Sequence, residues 1–146
     1  MKIAEKSGIV EWLSKVLTPV AAFLFPELDK KNKALGNIAM NFSANALGLA
    51  NAATPMGLKA MEELQKVNKD KDSASDSMCM LLAMNTAGFQ LIPATVIAIL
   101  ATVGAANPTE IIVPTFIVTS IAFVGAILTA KIMQKIFPPQ KAGEND

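Results

Sequence analysis

The residues of this sequence best suited to chemistry are amides and hydroxyls: Asn37, Asn41, Asn45, Asn51, Thr54, Asn85, Thr86 and Gln90. The first three stand at i, i+4 and i+8, which on a helix sets three amides in one slowly drifting row. Thr54 adjoins Pro55 with Asn51 one helical turn before it, while Asn85, Thr86 and Gln90 flank Gly88 and precede Pro93. Proline removes a backbone donor, so both groups sit where the main chain is released from helical pairing. Amides beside freed backbone groups can replace the water around a polar solute. They can equally hold helices together, at about 0.6–2 kcal/mol each. The spacing of Asn37, Asn41 and Asn45 favours interhelical packing, and Asn51, Thr54, Asn85, Thr86 and Gln90 make up the candidate solute or gate site.

Catalytic chemistry has little to work with. The chain has no His and the single Cys79, which removes His-dependent triads, Cys/His zinc sites and an internal disulfide. Cys79 lies between Met78 and Met80 and is expected to be a small apolar filler. Glu62 and Glu63 are adjacent on a charged helical face, so they point apart rather than at one substrate. Glu110 could meet a cation, but Asn107, Pro108 and Glu110 together read as a helix start. No enzyme, cofactor or metal site is expected. All 13 basic residues are Lys against 12 acids, a net charge of +1, which lacks the Arg forks and cationic excess of nucleic-acid binding.

The elements that must carry these residues are greasy. Of 146 residues 52% are hydrophobic and 17% charged, and mean hydropathy is +0.42, so a membrane protein is the default expectation. Residues 77–109 and 111–130 carry no charge. About 20 apolar residues cross a bilayer, so the second run fits one span, completed near Phe137, and the first is too long for one straight helix. Pro93 supplies its break, with a first half facing protein and an aliphatic second half facing lipid.

Residues 34–58 are also uncharged but rich in Asn. A helix there stops at 48–51 and a new one starts with Thr54 as N-cap and Pro55 at the first helical position. Lys59 with Glu63 and Glu62 with Lys66 are spaced as i,i+4 pairs, so that second arm is expected to emerge into water. Helix, polar turn, helix outlines a re-entrant hairpin. Residues 2–25 mix charges with apolar positions, which suits an interfacial amphipathic helix with Trp12 near the headgroups, and no signal-peptide pattern is present. Ser73 and Asp76 mark a capping-box start for the next helix. The resulting fold class is all-α, an integral membrane helical unit over residues 1–137 with a polar tail at 138–146.

At residues 48–61 (GLANAATPMGLKAM) the chain resembles the spore maturation protein A branch of the nucleoside-recognition (gate) domain family. The likeness continues through KDSASDSM at 71–78, NTAGFQLIPATVI at 85–97 and NPTEIIVP at 107–114. Ala50 stands where that family has Gly, and Leu100 and Ala105 or Ala106 where it has Arg and Ser. The resemblance implies a multi-pass protein of the bacterial cytoplasmic membrane, paired with or fused to a spore maturation protein B-like partner, with a further hydrophobic segment ahead of MKIAEKSG. The wider group includes nucleoside transporters and ferrous-iron permeases built on broken hairpins. A membrane gate in a small-solute pathway and a non-conducting scaffold for spore-envelope maturation are the two functions to separate. Homo-oligomers are compatible with either. Every Lys lies before Asp72 or after Ala130, so the positive-inside rule turns the 104–110 connector outward.

Overall fold

The computed structural model of the chain describes residues 8–29 and 32–137. These form six α-helices and a short 3-10 turn, with no strand among the described residues. The helices are α1 (Ile9–Leu24), α2 (Lys33–Ala46), α3 (Ala50–Val67), α4 (Asp76–Ala87), α5 (Ala94–Thr102) and α6 (Ile112–Ile136), the last preceded by the 3-10 turn Pro108–Ile111.

α2 and α3 form a tight hairpin closed by Leu47, Gly48 and Leu49. α2 begins at an N-cap, Asn32, whose side chain accepts from the Ala34 N–H at 2.9 Å. α1 docks along α2 through its C-terminal half, where Ala21 and Leu24 are buried and Leu17 packs beside them. The expected interfacial helix is thus a packed one from Leu17 onward, while Trp12, Val16, Val20 and Phe23 make an exposed apolar stripe. Residues 2–7 and the 138–146 tail lie outside the described residues.

α4 packs on α6 and is tied to it at both ends. Gln134 Nε2 donates to the Asp76 carbonyl at 2.9 Å, and fifteen residues earlier Thr119 meets Gln90. At 1.5 Å per residue that separation is about 22 Å. The shared core lies between these levels: Leu35, Ile38 and Phe42 of α2, Ala60 and Leu64 of α3, Met80, Leu81 and Met84 of α4, and Phe123 of α6. Phe42 stacks on Phe89 at 5.5 Å and on Phe123 at 5.0 Å, Phe89 meets Phe123 at a tilt at 5.4 Å, and Phe116 meets Phe89 edge-on at 6.1 Å.

The expected break at Pro93 is present, with α4 ending at Gly88 and α5 starting at Ala94. α4 buries Ser77, Met80, Leu81 and Met84, whereas α5 buries no residue. Residues 108–136, the 3-10 turn and α6, are long and apolar enough to cross a membrane, and of them only Phe123 is buried. Cys79 is exposed rather than filling a gap in the core.

Candidate functional site

The site is built where the α2–α3 turn meets the α4–α5 break. α2 stops because Gly48 adopts φ 66, the left-handed region that glycine enters without a Cβ penalty. Around it the Leu49 N–H returns to the Ala44 carbonyl and the Gly48 N–H to that of Asn45, both at 2.9 Å, and Leu49 packs on Ala44. This is a Schellman ending, a six-to-one and a five-to-two bond with an apolar contact across them. It leaves the Ala46 carbonyl unused by its own helix. That oxygen accepts the Leu91 N–H at 2.7 Å and the Ile92 N–H at 3.1 Å from the break. The Thr95 hydroxyl at the start of α5 donates to the Gly48 carbonyl at 2.8 Å. The two interruptions therefore satisfy each other's loose backbone groups.

A third element closes the junction from the side. The Gln90 N–H donates to Thr119 Oγ1 at 3.2 Å, and that hydroxyl donates to the Thr115 carbonyl at 2.8 Å within α6. Close packing fixes the register. A Cβ on Gly48 would lie 2.6 Å from the Ile92 oxygen and 2.7 Å from the Ala94 nitrogen, both main-chain atoms.

Below the junction two of the three amides of the row, Asn41 and Asn45, join helices as their spacing suggested, while the Asn37 side chain makes no hydrogen bond among the described residues. Buried Asn41 donates to the Ala53 carbonyl at 2.8 Å across the hairpin. Asn45 donates to Asn85 Oδ1 at 2.8 Å, joining α2 to α4. Gly57 on α3 faces both amides, for a Cβ there would stand 2.9 Å from Asn41 Nδ2 and 3.7 Å from Asn85 Nδ2. Ser43 turns back on its own helix and donates to the Ala39 carbonyl at 2.7 Å.

The five expected site residues divide. Asn85 is brought into the row through Asn45, and Gln90 is fixed at the junction by its backbone, its side chain making no hydrogen bond among the described residues. Thr86 and Asn51 are exposed and likewise uncommitted among them. Thr54 is not an N-cap. α3 starts five residues before the expected position, with Leu49 as cap and Ala50 first, because the Leu49 carbonyl already accepts the Ala52 and Ala53 N–H groups, each at 3.0 Å. Thr54 instead donates to the Ala50 carbonyl at 3.1 Å. Pro55 falls inside the helix, where its missing N–H leaves the Asn51 carbonyl without its usual partner.

Thr95 and Thr119 at the junction and Gly57 beside the amide row are residues that sequence reasoning did not single out, and Gly48 was read there only as the start of the helix stop. A threonine amid aliphatic residues of a long apolar run was the signal available for the first two. Two other local expectations are corrected. The N-cap of α4 is Ser75, whose hydroxyl accepts from the Met78 N–H at 3.4 Å, because the Ser73 hydroxyl is taken by Asp70. On α3 the ion pair is Lys66 with Glu63 at 2.7 Å, an i,i+3 pair in place of the two expected i,i+4 pairs. At the α6 end, Asn107 donates to Glu110 Oε1 at 2.9 Å, which closes the turn side chain to side chain.

No charged side chain belongs to the junction or to the row beneath it, and among the described residues no group of three His, Cys, Asp or Glu is placed to hold a metal ion. What the arrangement offers is amide donors and acceptors with no net charge, suited to an uncharged polar solute.

A family model described as Gate, nucleoside recognition, matches residues 1–106. Spore maturation protein A of Bacillus subtilis (strain 168) is 44% identical over 128 residues, which cover 88% of this chain and 65% of that protein. The chain thus spans less than two thirds of the relative's length. No solved structure matches.

Proposed function

This chain belongs to the Gate family of nucleoside recognition, and on that premise we propose that it is a membrane gate whose two interrupted elements bind an uncharged, nucleoside-like solute and pass it through a small-solute pathway. One observation carries the reading: the Ala46 and Gly48 carbonyls are capped by Leu91, Ile92 and Thr95, so the two broken elements meet tip to tip above a charge-free amide row. Transporters bring broken elements together within the membrane to meet a substrate, and here, with those backbone groups capping one another, the Asn51, Thr86 and Gln90 side chains are the polar groups left for it.

In this reading α6 spans the bilayer and α2–α3 is re-entrant. From Lys33 to Ala46 the hairpin rises about 20 Å, and the level of Thr119 stands about 22 Å above Gln134, against roughly 30 Å of hydrocarbon. The tip therefore sits within the membrane rather than beyond it. The protein is a multi-pass component of the bacterial cytoplasmic membrane, works beside a spore maturation protein B-like partner and catalyses no reaction.

The direct test is thermal stabilisation of the purified protein in detergent by a panel of nucleosides and small ions. Stabilisation by nucleosides and not by ions supports the reading, and none by any nucleoside refutes it. One observation favours a second reading, a non-conducting scaffold for envelope maturation: Asn41, Asn45 and Asn85 are already paired, as packing amides would be. Under the scaffold reading, Ala at Asn51, Thr86 or Gln90 leaves function intact.

A further inference from the structure

Between α4 and α5 the chain is gripped from α6 at two consecutive residues. Phe116 and Phe123 of α6 meet the Phe89 ring at 6.1 and 5.4 Å. One residue on, Thr119 Oγ1 stands 3.2 Å from the Gln90 nitrogen and 3.3 Å from the Gln90 carbonyl oxygen. A hydroxyl has one proton and two lone pairs, so it accepts the Gln90 N–H whichever carbonyl its own proton takes. The Thr115 carbonyl is nearest at 2.8 Å, with those of Gln90 and of Phe116, at 3.5 Å, also in reach. Both main-chain polar groups of Gln90 therefore lie against one side chain of α6. The next two residues are bonded elsewhere, through their N–H groups to Ala46 at the end of α2. Apolar packing does little to place this stretch: Leu91 and Ile92 are exposed, and α5 beyond them buries no residue. Between the packed Phe89 ring and the buried Pro93, the position of Gln90 is set by its main-chain bonds. Its partly buried side-chain amide makes no hydrogen bond among the described residues.

We propose that Thr119 is the positioning residue for the Gln90 amide: by holding the main chain of residue 90 it fixes where that amide meets a nucleoside, and so couples binding at the junction to the seating of α6. The inference rests on the solute site proposed above and adds the element that controls it. Valine at 119 would keep the branched shape of threonine but leave the Gln90 N–H without its acceptor. A donor stranded away from water costs more than its bond contributes, so residue 90 would shift to find another partner. Serine would keep the acceptor in place. Linkage makes the effect reciprocal: the factor by which the Thr119 contact strengthens nucleoside binding is the factor by which bound nucleoside strengthens the contact.

The test uses the full chain purified in detergent, with adenosine and uridine as probes, and reads affinity by calorimetry and amide hydrogen exchange at Gln90 by NMR. Thr119→Val is expected to weaken binding of whichever probe the parent takes by roughly tenfold, the weight of one polar contact in a desolvated site, and Thr119→Ser to restore it. With Gln90→Ala already present, Thr119→Val should change the remaining affinity by less than about twofold, because no amide is left to position. A merely structural role would weaken binding equally in both backgrounds. In the unaltered chain, saturating nucleoside should slow exchange of the Gln90 N–H by the same factor of roughly ten, a measurement that stands even if Thr119→Val does not fold. Undiminished binding by Thr119→Val, equal weakening in both backgrounds, no rescue by serine, or exchange at Gln90 unmoved by bound nucleoside overturns the inference and leaves the solute site standing. No binding by the parent refutes the solute site and the inference with it.

Discussion

Replacing Gly48 by alanine perturbs the junction at its tightest point. The new Cβ would stand 2.6 Å from the Ile92 oxygen, 2.7 Å from the Ala94 nitrogen and 3.2 Å from the Pro93 carbonyl carbon. These are main-chain atoms, so no rotamer change relieves the overlap and the break must move off the hairpin. Moving it breaks the bonds from Leu91 and Ile92 to Ala46 and from Thr95 to Gly48, each worth about 0.5–1.5 kcal/mol net. Holding a residue with a Cβ in the left-handed region adds about 1–2 kcal/mol. The expected destabilisation is therefore roughly 3–6 kcal/mol. Gly104 isolates the conformational part, because its φ is 77 and a Cβ there would meet nothing within 4 Å, so Gly104→Ala should cost only about 1–2 kcal/mol. Gly36 is helical with the same open surroundings, and Gly36→Ala should stabilise by up to about 1 kcal/mol. Equilibrium unfolding of the three purified variants, followed by circular dichroism, gives the comparison. If Gly48→Ala is no worse than Gly104→Ala, the close approach of the two broken elements is wrong.

Four further outcomes are expected. A double-mutant cycle on Asn45→Ala and Asn85→Ala should return a coupling of roughly 0.6–2 kcal/mol, and strict additivity would deny the bond between them. Gly57→Ala should push Asn41 from the Ala53 carbonyl and cost about 1–3 kcal/mol, with a clearly smaller penalty when Asn41→Ala is already present. Asp70, outside the membrane segments, has its pKa lowered by the Ser73 hydroxyl and then by the Asp72 N–H. Its support for the 68–75 connector is thus present above the ordinary carboxylate range and lost as pH falls through the lowered value, and an NMR titration should find that Ser73→Ala raises it. With Cys79→Ser in place, Ala106→Cys should react with an impermeant thiol reagent outside intact cells, while Ser7→Cys, Ser73→Cys and Ala142→Cys should not. Reaction at Ser7→Cys without reaction at Ser73→Cys would turn the re-entrant hairpin into a span.

Much of the junction was legible because proline, glycine and amide spacing act locally. Pro93 breaks the long uncharged run as its missing donor requires, and the row at Asn41 and Asn45 reaches across to α3 and α4 as its period demands. The start of α3 was not legible. Thr54 and Pro55 form a good local helix start, but Gly48 reverses the chain in three residues and the Leu49 carbonyl opens the helix first. Ser73 lost the cap of α4 to Ser75 for a similar reason, since a carboxylate three residues back competes for its hydroxyl. The meeting of Ala46 with Leu91 and Ile92 joins distant parts of the chain through backbone atoms alone, and such a contact leaves no mark on side-chain pattern.

The central claim, that the junction is where solute is held, is tested most directly by nucleoside binding to the purified protein, measured by calorimetry beside its Gln90→Ala and Asn51→Ala variants. Neither side chain makes a hydrogen bond among the described residues, so both variants should unfold as the parent does. The account predicts binding by the parent and its loss, by at least roughly tenfold in affinity, in each variant, the cost of one missing polar contact in a desolvated site. Undiminished binding in both variants, or none by the parent, would contradict it.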